Sequence, residues 1–252
     1  MRGDPITSYG DDLVVVTVLR PWPDPPALDR LIRSVPAATA RPARVVVADS
    51  GTGATVTAPA VEVLRLGEDV GRAAAVNRAV AGLDPAVGWV ALAAPEVEWA
   101  PGALDALLAA VVPRAGAVGP ALVDPSGRPV GGGGDVPSAG RVLLGRESAT
   151  PPTGGVVGWL PASCLLLRRT ALDSVDGFDP RYVDAFDDVD LGARLARAGW
   201  LTLRVPAAVA TVHPSEHGSP EHPVAARRRY VHDRSPAVAR ALLGLAGRGP
   251  RS

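Results

Sequence analysis

Apolar positions in the first half of the chain fall in short unbroken runs, separated by stretches with helical spacing. Leu13 to Leu19 (LVVVTVL) is a continuous β-branched run, the pattern of a strand buried on both faces. A Pro-rich loop from Pro21 to Pro26 follows, and Leu28, Leu31 and Ile32 give helical periodicity over Ala27 to Val35. Ala43 to Ala48 reads as a second buried strand running into Asp49-Ser50-Gly51, and Val61 to Leu66 as a short third. Gly71 to Leu83 predicts an Ala-rich helix, and Trp89 to Ala93 a strand that ends at Pro95-Glu96. Ala103 to Val112 predicts a helix and Ala115 to Leu122 a strand. This alternation implies an α/β fold with a Rossmann-like, mainly parallel sheet flanked by helices. Ligands of such sheets lie off the carboxyl ends of the strands, which puts Asp49 and Glu96 on one crevice.

After Asp124 the pattern changes. Gly127 to Gly155, with Gly131 to Gly134 in succession, lacks periodicity and reads as a long loop, either substrate-binding or disordered. Structure resumes at Val157 to Trp159 and Leu165 to Leu167. A helix follows through Leu191, Leu195 and Ala198, stopped by Gly199. Two strands, Leu201 to Val205 and Ala208 to Val212, lead to His213. The basic segment from Arg227 to Arg240 is a predicted helix with Ala237, Ala241, Leu242 and Leu245 on one side. The expected organisation is a tail over 1–11, one domain over 12–235 and a tail over 236–252. Within the domain, 12–124 is a nucleotide-binding half, 125–156 a flexible loop and 157–235 an acceptor and catalytic half.

Asp187, Asp188 and Asp190 open the helix before Gly199. One carboxylate there caps free N–H groups and suits the helix dipole. Three repel one another, an arrangement found where a cation, a sugar hydroxyl or a proton is handled. The residues alone leave capping and chemistry both open.

Composition narrows the chemistry. Formal net charge is zero, so no nucleic-acid partner is expected. The chain contains no Lys, which excludes Schiff-base chemistry and a P-loop. Gly51-Thr52-Gly53 follows a strand, but Val56 stands where a dinucleotide fingerprint has its third Gly. The four His form no zinc pattern with the single Cys164, which reads as a small buried hydrophobe, and no Gly-x-Ser-x-Gly elbow occurs. With no apolar signal core and no membrane-length apolar stretch, the expectation is a cytoplasmic protein. The segment from Arg227 onward reads either as a peripheral contact with the inner face of the plasma membrane or as a cover for the domain's own core.

Taken in order, these elements resemble the family 2 glycosyltransferases of GT-A fold, over about Leu13 to His213. The similarity is carried by Ala48-Asp49-Ser50-Gly51, by Asp69-Val-Gly71-Arg72 through Asn77-Arg78, and by Ala94-Pro95-Glu96. It continues through Trp159 to Arg169, Gly177-Phe178-Asp179 and Asp187-Asp188-Val189-Asp190-Leu191-Gly-Ala-Arg194. The length and the His213 end look most like actinobacterial cell-wall rhamnosyltransferases acting on polyprenyl-diphosphate-linked N-acetylglucosamine. The resemblance implies an inverting transfer from a dTDP- or UDP-linked sugar to a glycan or lipid-linked acceptor. By it, Asp188 is the base; Asp187 is then its electrostatic neighbour or an acceptor contact, and Asp190 a helix cap. Asp49, Ser50, Gly71, Arg72, Asn77 and Arg78 line the nucleotide site, the two Arg being diphosphate contacts or solvated helix charges. Glu96 and His213 would hold Mg²⁺ or Mn²⁺. The chain departs from the family pattern at Ala94, Glu96, Asp187 and Pro161-Ala162-Ser163. Those departures motivate an alternative, a catalytically weakened relative that binds a nucleotide sugar or glycan.

Overall fold

The computed structural model describes residues 10–21, 24–58, 60–143, 154–183, 185–214 and 223–235. In chain order the elements are β1 (Gly10–Leu19), α1 (Pro25–Ala38), β2 (Ala43–Asp49), β3 (Val61–Arg65), α2 (Arg72–Ala81), β4 (Val87–Ala93), β5 (Val97–Trp99), α3 (Ala103–Ala109) and β6 (Ala115–Val123). They continue with α4 (Ala139–Leu143), β7 (Gly155–Val157), β8 (Cys164–Arg168), α5 (Arg169–Asp173), α6 (Asp187–Arg197), β9 (Leu201–Val212) and α7 (Pro223–Arg234).

A single nine-stranded sheet runs through both halves in the order β3-β2-β1-β4-β8-β6-β9-β5, with β7 also on β9. Strands β1 to β4 pair in parallel throughout, because they are joined by crossovers. Beyond them β8 inserts antiparallel between β4 and β6, and β5 and β7 pair antiparallel with β9. The sheet is therefore mixed beyond β4. This reversal carries the residues just before β8 to the carboxyl end of β4, with Cys164 opposite Ala93.

Two apolar layers enclose the sheet. Val15, Val47, Trp99, Leu104 and Leu107 pack with α1 and α3 on one face; Val16, Val46, Val76, Leu167, Leu191 and Leu195 pack with α2 and α6 on the other. Helix α1 starts within the expected loop, since prolines suit the first helical turn and Asp24 caps Ala27 N–H at 3.1 Å. The region 127–155 is more ordered than its composition implied: it contains α4 and a bridge from Gly134 to Trp159. Residues 144–153 of that region lie outside the described residues.

Within the described residues, helix α7 serves as a cover for the domain's own core. Ala226, Tyr230 and Val231 are buried and Phe186 stacks on Tyr230 (ring centroids 5.1 Å apart), so α7 covers a third apolar cluster with Val142, Tyr182 and Val189. Its apolar side is spent inside the domain, while Arg227 and Arg228 remain exposed. Ala237, Ala241, Leu242 and Leu245 lie outside the described residues. Among the described residues no helix is long and apolar enough to cross a membrane.

Candidate active site

Asp49, at the close of β2, organises the turn that follows it. Its carboxylate is buried, yet accepts bonds from Thr52 N–H (2.8 Å), Thr52 Oγ1 (2.6 Å), Gly53 N–H (3.1 Å) and the Arg65 guanidinium. Burial pushes its pKa up, but the Thr52 bonds and Arg65 outweigh that and hold it below the usual carboxylate range. Gly51 has φ +88, and a Cβ there would sit 2.9 Å from Asp69 N, so this turn requires glycine. Ser50 is fully buried; its Oγ accepts from Val70 N–H at 2.9 Å and donates toward Glu68 C=O at 3.3 Å. It pins the neighbouring 68–70 turn to β2. Asp69 in turn receives Arg20 through Nε (3.0 Å) and Nη2 (2.8 Å).

Gly71, at φ +77, leads into α2, whose first residue is Arg72. Arg72 reaches across the site to Asp187 with both Nε (3.0 Å) and Nη2, tying α2 to α6. Asn77, expected at the nucleotide, does other work here. Its Nδ2 donates to Phe178 C=O at 2.7 Å and its Oδ1 accepts from Phe178 N–H at 2.9 Å. A Cβ on Gly177 (φ +73) would lie 2.5 Å from Asn77 Oδ1, so Gly177 and Asn77 form one fitted pair. With both ends of its amide engaged, Asn77 is a turn clamp. Asn77→Ala is expected to destabilise the fold by about 1–3 kcal/mol with nucleotide affinity unchanged, checked by urea denaturation beside nucleotide titration. Arg78 is exposed on the last turn of α2, in keeping with a solvated helix charge.

At the mouth of α6 the three Asp separate. Asp187 is 0% exposed and paired with Arg72. Asp190 does not cap the helix; it binds Arg194 Nε at 2.6 Å and faces Arg234 of α7 at 3.6 Å. Arg194 also donates to Val175 C=O (2.6 Å) and Gly177 C=O (2.7 Å), so it braces the turn that Asn77 clamps. Asp188 has no cation of its own among the described residues. It accepts from Val189 N–H at 2.8 Å and, weakly, from Ala162 N–H at 3.4 Å. Burial first, and then the Asp187 charge, push its pKa up to about 6, against the opposing pull of Arg72 and the two N–H groups. Phe186 precedes the helix at φ +65, a left-handed conformation sustained by its packing on Tyr230.

The expected metal ligands meet differently. His213 N–H donates to Glu96 C=O at 2.9 Å, which sets the two residues side by side. The imidazole, however, places Nε2 2.7 Å from Oε2 of Glu98, a residue not anticipated from the sequence. No group of three or more His, Cys, Asp or Glu suited to a metal occurs among the described residues. A hard cation held by one or two protein donors and completed by substrate phosphate oxygens fits this donor set.

No family model matches the chain. Among solved structures it is similar to GalNAc-T7 with UDP, GalNAc and Mn²⁺ (TM-score 0.63, 16% identity, 88% of this chain and 47% of that one). It is also similar to the Pyrobaculum calidifontis mannosyltransferase PcManGT with GDP-Man and Mn²⁺ (TM-score 0.57, 17% identity, 95% and 76%). The chain thus spans about half the GalNAc-T7 structure. Its fold is that of the GT-A glycosyltransferases. An N-acetylglucosaminyl-diphospho-decaprenol L-rhamnosyltransferase of Mycobacterium tuberculosis, from strains CDC 1551 and H37Rv, is 38% identical over 231 residues, covering 79% of this chain and 75% of the relative. The chain belongs to the family of that glycosyltransferase.

Proposed function

We propose that this glycosyltransferase moves a sugar, rhamnose by analogy with its mycobacterial relative, with inversion from a dTDP- or UDP-linked donor. The acceptor is a polyprenyl-diphosphate-linked N-acetylglucosamine of cell-wall assembly. The observation that carries this reading is Asp188: a carboxyl with no cation of its own among the described residues, at the mouth of α6, beside the Arg72-paired Asp187 and raised to about 6. Asp188 takes the proton of the acceptor hydroxyl as its oxygen attacks the anomeric carbon; the bond to the nucleoside diphosphate breaks, and the electron pair leaves on the diphosphate oxygen. Asp49 with Thr52 and Arg65 supports the nucleobase and ribose, and Arg72 lies where a diphosphate oxygen can share its guanidinium.

Glu98 and His213, with Glu96 adjacent, would hold a divalent cation; Mg²⁺ or Mn²⁺ bound there neutralises charge on the leaving diphosphate. Glu98→Gln is expected to raise the metal concentration needed for half-maximal activity by about 10- to 100-fold, read by metal titration. Exposed Arg227 and Arg228 support a peripheral contact with an anionic membrane surface.

The test is transfer by the full chain from a panel of dTDP-, UDP- and GDP-sugars to the lipid-linked acceptor, with and without metal. A glycosylated lipid is expected. Nucleotide binding without product from any donor would favour the second reading, a binding protein without turnover, which Ala94 and the Glu98–His213 contact support. Absence of a thermal shift with every nucleoside diphosphate would sink both.

A further inference from the structure

The sugar-transfer reading leaves one buried cation without a task. Arg204, on β9, is 6% exposed, and its Nε and Nη1 have no hydrogen-bond partner. Arg30, Arg169, Arg194 and Arg234 also carry an unpartnered nitrogen, but Arg30 is only half-buried and each of the others has a carboxylate, Asp173 for Arg169 and Asp190 for Arg194 and Arg234. Arg204 has none among the described residues. Burial draws its pKa down, yet a guanidinium does not give up its proton in a protein. An uncompensated buried ion is strongly unfavourable, and the counter-charge has to come from somewhere.

The strands and the segment around Arg204 place backbone and glycines, rather than acidic side chains, against it. The residues directly opposite Arg204 in the sheet are Gly119 of β6 and Gly155 of β7. Cross-strand partners project to the same face, so neither flanks the guanidinium with a side chain; Leu160 occupies the space above Gly119 only. Over the guanidinium lies Gly132, where a Cβ would collide with Nη1. The covering segment is strapped to the catalytic half: Gly134 N–H donates to Trp159 C=O (3.2 Å), Gly158 N–H donates to Gly134 C=O (2.8 Å), and Gly192 of α6 abuts Gly158. Ala162, three residues past Trp159, contacts Asp188. The unpaired cation and the candidate base are therefore attached to one packed unit.

We infer that Arg204 is the centre of an anion site for a diphosphate group, entered beside Gly131 to Gly134 on the acceptor side of Asp188. The planar fork matches two phosphate oxygens at once. The site's chemistry stands on Arg204 and its glycine neighbours; that its occupant is the acceptor's own diphosphate rests on the proposed function. Such a contact would hold a lipid-linked acceptor by the group that every such acceptor shares, leaving the sugar hydroxyl to Asp188.

The experiment saturates the full chain with dTDP or UDP, so that the donor site is filled, and then titrates inorganic diphosphate, farnesyl diphosphate and farnesol by calorimetry. Binding of both diphosphates but not of farnesol is expected; a much tighter farnesyl diphosphate identifies a lipid-borne ligand, and equal affinities a free one. Arg204→Met is expected to fold with an unchanged or higher Tm and to bind diphosphate about 10- to 100-fold more weakly, with nucleotide affinity unchanged. Arg204→Gln, which keeps a polar head but removes the charge, provides the same readout should the first variant fail to fold. Wild-type diphosphate affinity in a folded variant, or no diphosphate binding to the nucleotide-saturated chain, overturns the inference. Failure of the nucleotide itself to bind would overturn the proposed function instead; diphosphate binding to the free chain that Arg204→Met abolishes would still support the anion site, and binding that Arg204→Met leaves intact would overturn it.

Discussion

Asp188→Asn is expected to lower sugar transfer by about 10²- to 10⁴-fold while nucleoside diphosphate binding persists. The amide keeps the shape and the bond to Val189 N–H through its oxygen, but it cannot accept the acceptor's proton. For the wild type, kcat/KM should rise with pH through about 6, where Asp188 loses its proton, and level off above. Stability moves the opposite way. A carboxyl whose folded pKa lies above its unfolded one disfavours the native state, with a penalty that grows from about pH 4 and is complete above about pH 6. Removing the charge should thus stabilise the protein by about 1–3 kcal/mol at neutral pH and by almost nothing at pH 4. Denaturant titrations at the two pH values check this. An activity loss with equal stability change at both would mean that the carboxyl is not raised, and a variant with near wild-type turnover would remove Asp188 as the base.

The buried strands were legible because their neighbours make no demand on them beyond being apolar on both faces: β1, β2 and β4 begin or end within three residues of their expected limits. Elements whose existence depends on a distant partner were not. Strand β5 is three residues long, Val97-Glu98-Trp99, and forms only because Val212, Thr211 and Ala210 of β9 lie opposite. Pro206 made β9 read as two strands. The sheet accommodates it at a register shift, where Val205 pairs with Pro120 and Val209 with Ala121, so the intervening residues bulge out.

The same distinction runs through the site. Asp188 stood out because like charges at a helix mouth are unusual and the following residues matched a known pattern. That Asp190 and Arg194 brace a turn, and that Asn77 clamps it, follows from contacts spanning up to 101 residues. Glu98 was hidden for the same reason as its strand. The residue pattern pointed to Glu96 and His213, but not to which of two nearby carboxylates faces the imidazole.

Arg72→Leu is the change with the largest expected effect on the fold. Asp187 is 0% exposed and its two oxygens are met by Arg72 Nε and Nη2, so the variant leaves a buried carboxyl without its cation. Breaking such a pair costs about 3–5 kcal/mol when both partners are buried; Arg72 is 28% exposed on its side chain, so the lower end of that range is expected. The electrostatic consequence reaches the base. Arg72 opposes the rise in the Asp188 pKa, so without it the group is raised further and the acidic limb of kcat/KM moves to higher pH. Adding Asp187→Asn removes the stranded charge and the repulsion on Asp188 together. The double variant should recover most of the lost stability and bring the limb back toward or below its wild-type position. The readouts are urea midpoints of the two single variants and the double, set against the pH profiles of Arg72→Leu and the double. If Arg72→Leu alone weakened nucleotide binding with no loss of stability and no movement of the limb, Arg72 would be a diphosphate contact and not the counter-charge that lets Asp187 and Asp188 stand side by side.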